Sequence, residues 1–210
     1  MEAASIPALS KPADHGHDHD HHGPPEAHNS STVDRQTLGM LLFIISEIMV
    51  FGGFFTAYFF IRVVNGNPWP APGQELPELI AGFNTLVLLS SSLTMHWALE
   101  AAKHGNRNAM KLGMIATLLL GSTFLAVQIN EYWHLGYAPY DSAQASAFYG
   151  LTGLHGAHVF VGLTLLTFAT IRVFKGHFTP EEHRGIEVPG IYWHFVDVMW
   201  IIVYVSLYLI

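Results

Sequence analysis

The stretch LGMLLFIISEIMVFGGFFTAYFFIRVV, from Leu38 to Val64, holds one acid, Glu47, and one base, Arg62, in 27 residues. Coiled as an α-helix at 1.5 Å per residue it would reach ~40 Å, enough to cross a hydrocarbon core of ~30 Å. A core helix of a soluble domain needs neither that length nor that freedom from charge. Four more apolar runs follow, near Leu79–Ala101, Met110–Leu135, Ala145–Val173 and Gly190–Ile210. The links between them are turn-like: Asn65 to Gly73, Lys103 to Asn106, Gly136 to Asp141, and Lys175 to Pro189. The expected fold class is therefore all-α, an integral membrane bundle of five transmembrane helices over residues 38–210.

Composition agrees. Half of the 210 residues are hydrophobic and 12% are charged, against about 25% charged in a soluble domain. Mean hydropathy is only +0.31 because residues 1–37 are polar. This segment is rich in His, Asp, Ser and Pro and has no apolar run, so it reads as a disordered His-rich tail rather than a signal peptide. The absence of cysteine excludes disulfides, thiolate metal sites and cysteine nucleophiles. The net charge is −7, and nothing basic enough to bind nucleic acid is present.

Lysine and arginine predict the orientation. With the N-terminus in the cytoplasm, Lys11, Arg35, Lys103, Arg107, Lys111, Arg172, Lys175 and Arg184 all fall inside. Arg62 alone falls outside, at a helix end from which it can snorkel to the headgroups. The C-terminus is then expected outside, where Trp69, Tyr132, Trp133, Tyr137 and Tyr208 would form an aromatic belt.

An ionisable group in hydrocarbon costs at least ~2.5–3.5 kcal/mol on insertion scales, so each one calls for a partner or a purpose. Glu47 lies near the middle of the first span, beside Gly52 and Gly53, which offer a close helix-packing surface. His155 and His158 share one face of the fourth span, where Gly150, Gly153, Gly156 and Gly162 would admit a neighbouring helix. His194 and Asp197 share a face of the fifth span. Gln128, Glu131 and His134 line one face of the third, and Ser90, Ser91, Ser92 and Thr94 on the second can hydrogen-bond across helices. Each has a bland reading beside the functional one. Glu47 is either a hydrogen-bonded neutral acid or a proton carrier; the histidine pair makes interhelical hydrogen bonds or ligates a metal or haem. His194 and Asp197 fix helix rotation by an internal hydrogen bond, and Glu131 and His134 are simply solvated near the interface. In the tail, His15, His17, His19, His21 and His22 with three aspartates make a weak transition-metal tract.

Three motifs carry a family resemblance. Ser46-Glu47-Ile48-Met49-Val50-Phe51-Gly52-Gly53-Phe54-Phe55 resembles the glutamate-bearing helix of cytochrome c oxidase subunit III. Phe148 to Val159, with Thr152-Gly153-Leu154-His155-Gly156-Ala157-His158-Val159, is similar to that family's Thr-Gly-x-His-Gly-x-His-Val helix. Tyr192-Trp193-His194-Phe195-Val196-Asp197-Val198-Met199-Trp200 resembles its C-terminal signature. The last two are specific in combination and in this order, and the resemblance spans Leu38 to Ile210. Long family members have seven spans; this chain is similar to five-span bacterial relatives that lack the first two. Those two helices border a cleft for phospholipids in the long form, so lipid sites do not transfer directly.

The resemblance implies a non-catalytic subunit of a haem-copper terminal oxidase in a bacterial cytoplasmic membrane. It would brace subunit I, lie in a complex with subunit II, support proton uptake and bind no haem or copper itself. Glutamate after Ser46, where quinol oxidase relatives typically carry aspartate, favours the cytochrome c branch. The quinol oxidase form and a nitric oxide reductase-associated form are the near alternatives. From other classes come a proton-coupled metal transporter, disfavoured by the absence of internal repeats, and a membrane b-type cytochrome. Helix rise also predicts a contact: from the inner surface Glu47 lies ~14 Å deep, His158 ~21 Å and His155 ~25 Å. Glu47 is therefore expected to pair with His158, joining the first and fourth spans.

Overall fold

The computed structural model describes residues 35–65, 76–176 and 184–210. The tail with its His15–His22 tract, the link that contains Trp69 and residues 177–183 lie outside the described residues. Among those described, the secondary structure is helical: α1 (Arg35–Asn65), α2 (Glu78–Lys103), α3 (Arg107–His134), α4 (Ala143–Phe174) and α5 (Arg184–Tyr204), which runs into a π-helical turn, Val205–Leu209. All five helices are long and apolar enough to cross a membrane. The chain is a multi-pass membrane protein.

Two boundaries differ from expectation. Helix α1 begins at Arg35, so residues 35–37 belong to the first span and not to the tail. Helix α5 begins at Arg184, six residues before the expected Gly190, and carries Pro189 inside it. The proline removes one amide from the backbone ladder close to the helix start, where little of the ladder depends on it.

The chain folds up and down. The near end of the bundle holds the start of α1, the α2–α3 turn, the end of α4 and the start of α5; the far end holds the start of α2, the α3–α4 link and Ile210. Local signals fix the turns. Gly105 takes φ +71° between α2 and α3, a left-handed conformation that costs glycine least. The Asn106 side chain then caps α3 by accepting from the Ala109 amide at 3.2 Å, and Ser142 caps α4 through the Ala145 amide at 2.9 Å.

Helices α2 and α3 form the most extensive pair, while α5 packs on α4, α2 and α1. At the α2–α3 crossing a Cβ on Gly113 would stand 2.8 Å from Ala98 Cβ, so only glycine allows that approach. Thr94 and Thr117 hydroxyls bond across the same seam at 2.8 Å. The centre is filled by Trp193 and Trp200 of α5, both fully buried. The Trp193 ring occupies a slot between Gly121 of α3 and Gly162 of α4, and its Nε1 donates to Ser91 Oγ of α2 at 3.0 Å. Trp200 Nε1 donates to Thr85 Oγ1 at 2.9 Å. Lipid tails are as apolar as a protein core, so this centre is held by close packing and hydrogen bonds more than by the hydrophobic effect.

Candidate functional site

The polar residues that the sequence singles out fall into three groups. The first joins α1 to α4. Glu47 Oε2 lies 2.9 Å from His158 Nε2, with 18% of the glutamate side chain and 11% of the histidine side chain exposed. The expected contact is therefore made. Its proton inventory follows from the other ring nitrogen. His158 Nδ1 lies 2.8 Å from the Leu154 carbonyl, which can only accept, so Nδ1 carries hydrogen. Either a neutral Glu47 donates to Nε2, or an imidazolium donates to an ionised Glu47. The pair shares one proton in both cases and is neutral overall.

The surroundings hold this geometry. The buried Phe51 ring stands 5.0 Å from the His158 ring, centroid to centroid. Tyr192 of α5 donates its hydroxyl to the His158 carbonyl at 3.4 Å. Phe51 lies one helical turn after Glu47, so α1 presents acid and aromatic together to α4.

His155 takes a different place. It is fully buried, turned from α1 into the interior, with its ring 4.7 Å from Trp200 and 5.8 Å from Phe124. Neither ring nitrogen has a hydrogen-bond partner among the described residues. The two histidines of one motif thus serve two seams.

The second group joins α5 to α2 in the middle of the bundle. His194 Nδ1 and Ser92 Oγ are hydrogen-bonded at 2.6 Å, and the buried Asp197 carboxyl lies beside the same hydroxyl. The expected internal bond between His194 and Asp197 is not made: His194 turns to Ser92, and neither Asp197 oxygen has a hydrogen-bond partner among the described residues. The run of hydroxyls on the second span, read as cross-helix partners, takes that role for both Trp193 and His194.

The third group lies at the far end. Gln128 and Glu131 are 2% and 5% exposed, and only His134 faces outward, its Nδ1 bonded to the Asn130 carbonyl at 2.8 Å. Glu131 is not solvated, contrary to expectation: Leu135 is buried beyond it and Tyr208 of the last turn stands near it.

The glycines also depart from expectation. Among the described residues nothing beyond the helix's own turn lies within 4 Å of where a Cβ on Gly52 or Gly53 would sit, and Gly153 and Gly156 meet only ordinary contacts at 3.9 Å. Close packing falls on Gly150 and Gly162, as expected, and also on Gly113, Gly121 and Gly190, which the sequence does not single out. Arg62 does not snorkel free. It donates to Tyr58 Oη at 3.1 Å and to the Ile210 carbonyl, while Tyr58 donates to the Ser206 carbonyl at 3.0 Å. Among the described residues, no group of three or more His, Cys, Asp or Glu could hold a metal ion.

Comparison with known proteins follows the same motifs. The family model described as cytochrome c oxidase subunit III matches residues 18–210. The cytochrome c oxidase subunit 3 of Thermostichus vulcanus is 37% identical over 198 residues, covering 94% of this chain and 92% of that protein. The rat protein of the same name, from Rattus norvegicus, is 39% identical over 197 residues, 89% of this chain and 74% of its own length. The rabbit protein, from Oryctolagus cuniculus, is 41% identical over 180 residues, 81% and 67% respectively.

Proposed function

The chain belongs to the cytochrome c oxidase subunit III family, and on that premise we propose that it is a non-catalytic membrane subunit of a haem-copper cytochrome c oxidase. It packs chiefly against subunit I, within a complex that includes subunit II, and leaves haem and copper to those chains. Its place is the bacterial cytoplasmic membrane. Seven of the nine lysines and arginines belong to the near end of the bundle: Arg35, Lys103, Arg107, Lys111, Arg172, Lys175 and Arg184. That bias supports a cytoplasmic N-terminus and an outward Ile210.

One observation carries the functional reading: the Glu47–His158 hydrogen bond at 2.9 Å. Glu47 lies 12 residues into α1, hence ~18 Å along the helix. An acid and an imidazole sharing one proton at that depth give a neutral tie between α1 and the rest of the bundle. The same pair can exchange its proton without leaving a net charge in hydrocarbon, which suits a subunit that supports proton uptake. Bracing is its primary role.

Tagging this chain and identifying what co-purifies tests the assignment directly; haem-copper subunits are the expected partners, and their absence would overturn it. The pair is tested by Glu47→Ala and Glu47→Gln. Alanine leaves His158 Nε2 without a partner and should lower the yield of assembled complex, at ~1–3 kcal/mol for an unpaired buried group. Glutamine keeps a hydrogen bond and should be milder. Loss of turnover equal in both, with assembly intact, would assign Glu47 to proton handling instead.

A further inference from the structure

Helix α2 is 26 residues long, hence ~39 Å, and overhangs a hydrocarbon core of ~30 Å by little at each end. His96 lies two turns before its end at Lys103, hence ~10 Å in, and is exposed. It makes no hydrogen bond among the described residues. Near it on α5 is His194, ~15 Å from the same end, whose Nδ1 is tied to Ser92, one turn deeper on α2. The exposed hydroxyls on other faces need nothing from outside. Thr56, Thr123, Thr164 and Thr167 each donate to a carbonyl of their own helix. The two imidazoles instead mark the outer seam between α2 and α5. Toward the far end the same seam widens into a groove of about 410 Å³ lined by Gly82, Leu86 and Tyr204. Gly82 leaves its floor bare, with the Tyr204 hydroxyl 3.3 Å from where a Cβ would sit.

We propose that this seam seats a transmembrane helix of a partner subunit, packed closely at Gly82 and presenting a carboxylic acid to His96 and His194. An imidazole at this depth turns to a protein group or to water, because lipid tails offer it no hydrogen bond. The chain meets the same need at His158 with an acid on the facing helix, Glu47. An acid suits this seam too. His194 engages Ser92 through one ring nitrogen and keeps the other to share, and His96 has both. Shape and polarity act together: a bare glycine lets a helix backbone approach, and a polar contact fixes its depth and rotation. A lipid tail would fill the groove and leave both rings unpaired. This seat rests on the reading of the chain as one subunit of a larger membrane complex.

The test uses the complex formed in membranes by the full chain, with the photocrosslinker p-benzoylphenylalanine in place of Val198 or Phe168. Val198, one turn past His194 on α5, is 55% exposed; Phe168 on α4 is 63% exposed and serves as the control. From position 198, irradiation should join the chain to a transmembrane segment that carries Asp or Glu within a turn or two of the linked residue. From position 168 that segment should not be recovered. His96→Leu changes only an exposed side chain, so the chain itself should accumulate normally. The crosslink from position 198 should then fall about threefold to tenfold, the worth of one interhelical hydrogen bond. Crosslinks from position 198 only to lipid, only to a second copy of this chain, or to a helix without an acid would overturn the proposal. So would undiminished crosslinking in His96→Leu. Those results leave the oxidase reading standing wherever haem-copper subunits still co-purify. An acid-bearing helix from a complex without haem and copper supports the seam and overturns the oxidase reading instead.

Discussion

Helix α1 is the more apolar of the two end helices, with a mean hydropathy of 2.1 over its best window against 1.5 for α5, yet 6% of that window is buried in α1 and 61% in α5. In water the order would be reversed, because apolar area would drive burial. In lipid, a leucine gains little by leaving the tails for a neighbouring helix, and association goes to surfaces with small-residue slots and polar groups that need partners. Helix α5 has those features: two indole N–H groups, His194 and Asp197. Helix α1 is tied to the others at a few points, Glu47–His158 in its middle and Tyr58 with Arg62 at its far end.

The strongest way to break this contrast is to fill the slot around which α5 is seated. A Cβ on Gly121 would lie 2.6 Å from the Trp193 ring, and Gly162 closes the opposite side at 2.9 Å. The ring has nowhere to move, so Gly121→Val should cost ~1–3 kcal/mol or more and largely abolish accumulation of the chain in membranes, read by quantitative immunoblot. Near-normal accumulation would mean that α5 is not the centre about which the bundle forms.

A smaller effect is expected at the polar edge of α5. Asp197→Ala removes a 3% exposed carboxyl beside Ser92 while leaving the Ser92–His194 bond in place. Neither carboxyl oxygen has a hydrogen-bond partner among the described residues, so the loss is one of packing: incorporation into the complex should fall modestly, with turnover per assembled complex preserved. Normal assembly with dead enzyme would move Asp197 from structure to mechanism.

These residues also show what is legible in sequence. The five spans follow from bilayer thickness and helix rise, and so does the Glu47–His158 contact, because both helices share one depth scale. Which glycine packs closely does not follow. That depends on helix crossing points, so the expectation takes in Gly52, Gly53 and four glycines of α4, of which Gly150 and Gly162 pack closely, and leaves Gly121 unmarked. Glu131 was misread because the groups that cover it, Leu135 after its own helix and Tyr208 at the end of α5, are remote in role or in sequence. Arg62 was misread for a related reason. Its acceptors are the Tyr58 hydroxyl and the carbonyl of Ile210, which follows a π-helical turn, and no side-chain pattern announces that turn.

The Arg62 tie gives the next prediction. Arg62→Gln removes a charge-assisted bond to the Ile210 carbonyl and the bond to Tyr58, and should loosen the Val205–Leu209 turn by ~1–3 kcal/mol. Faster amide exchange confined to the last turn of α5 is expected, with the Glu47–His158 seam unchanged. Faster exchange along all of α5 would show that α1 supports the central helix more than its shallow burial suggests.

The smallest effect is expected from replacing Gly52 and Gly53 together by alanine. Both glycines are exposed, neither has an atom of this chain within 4 Å of its missing Cβ, and neither has positive φ. Nothing must move to admit a methyl group. The change also replaces the weakest helix former after proline by the strongest, a gain of up to ~1 kcal/mol per site in a water-exposed helix and less in lipid, where the backbone is already held in its own hydrogen bonds. The melting of the isolated chain in detergent should therefore stay the same or rise slightly. A loss would place another segment of this chain against α1, and the openness of that helix, on which the contrast with α5 rests, would be wrong.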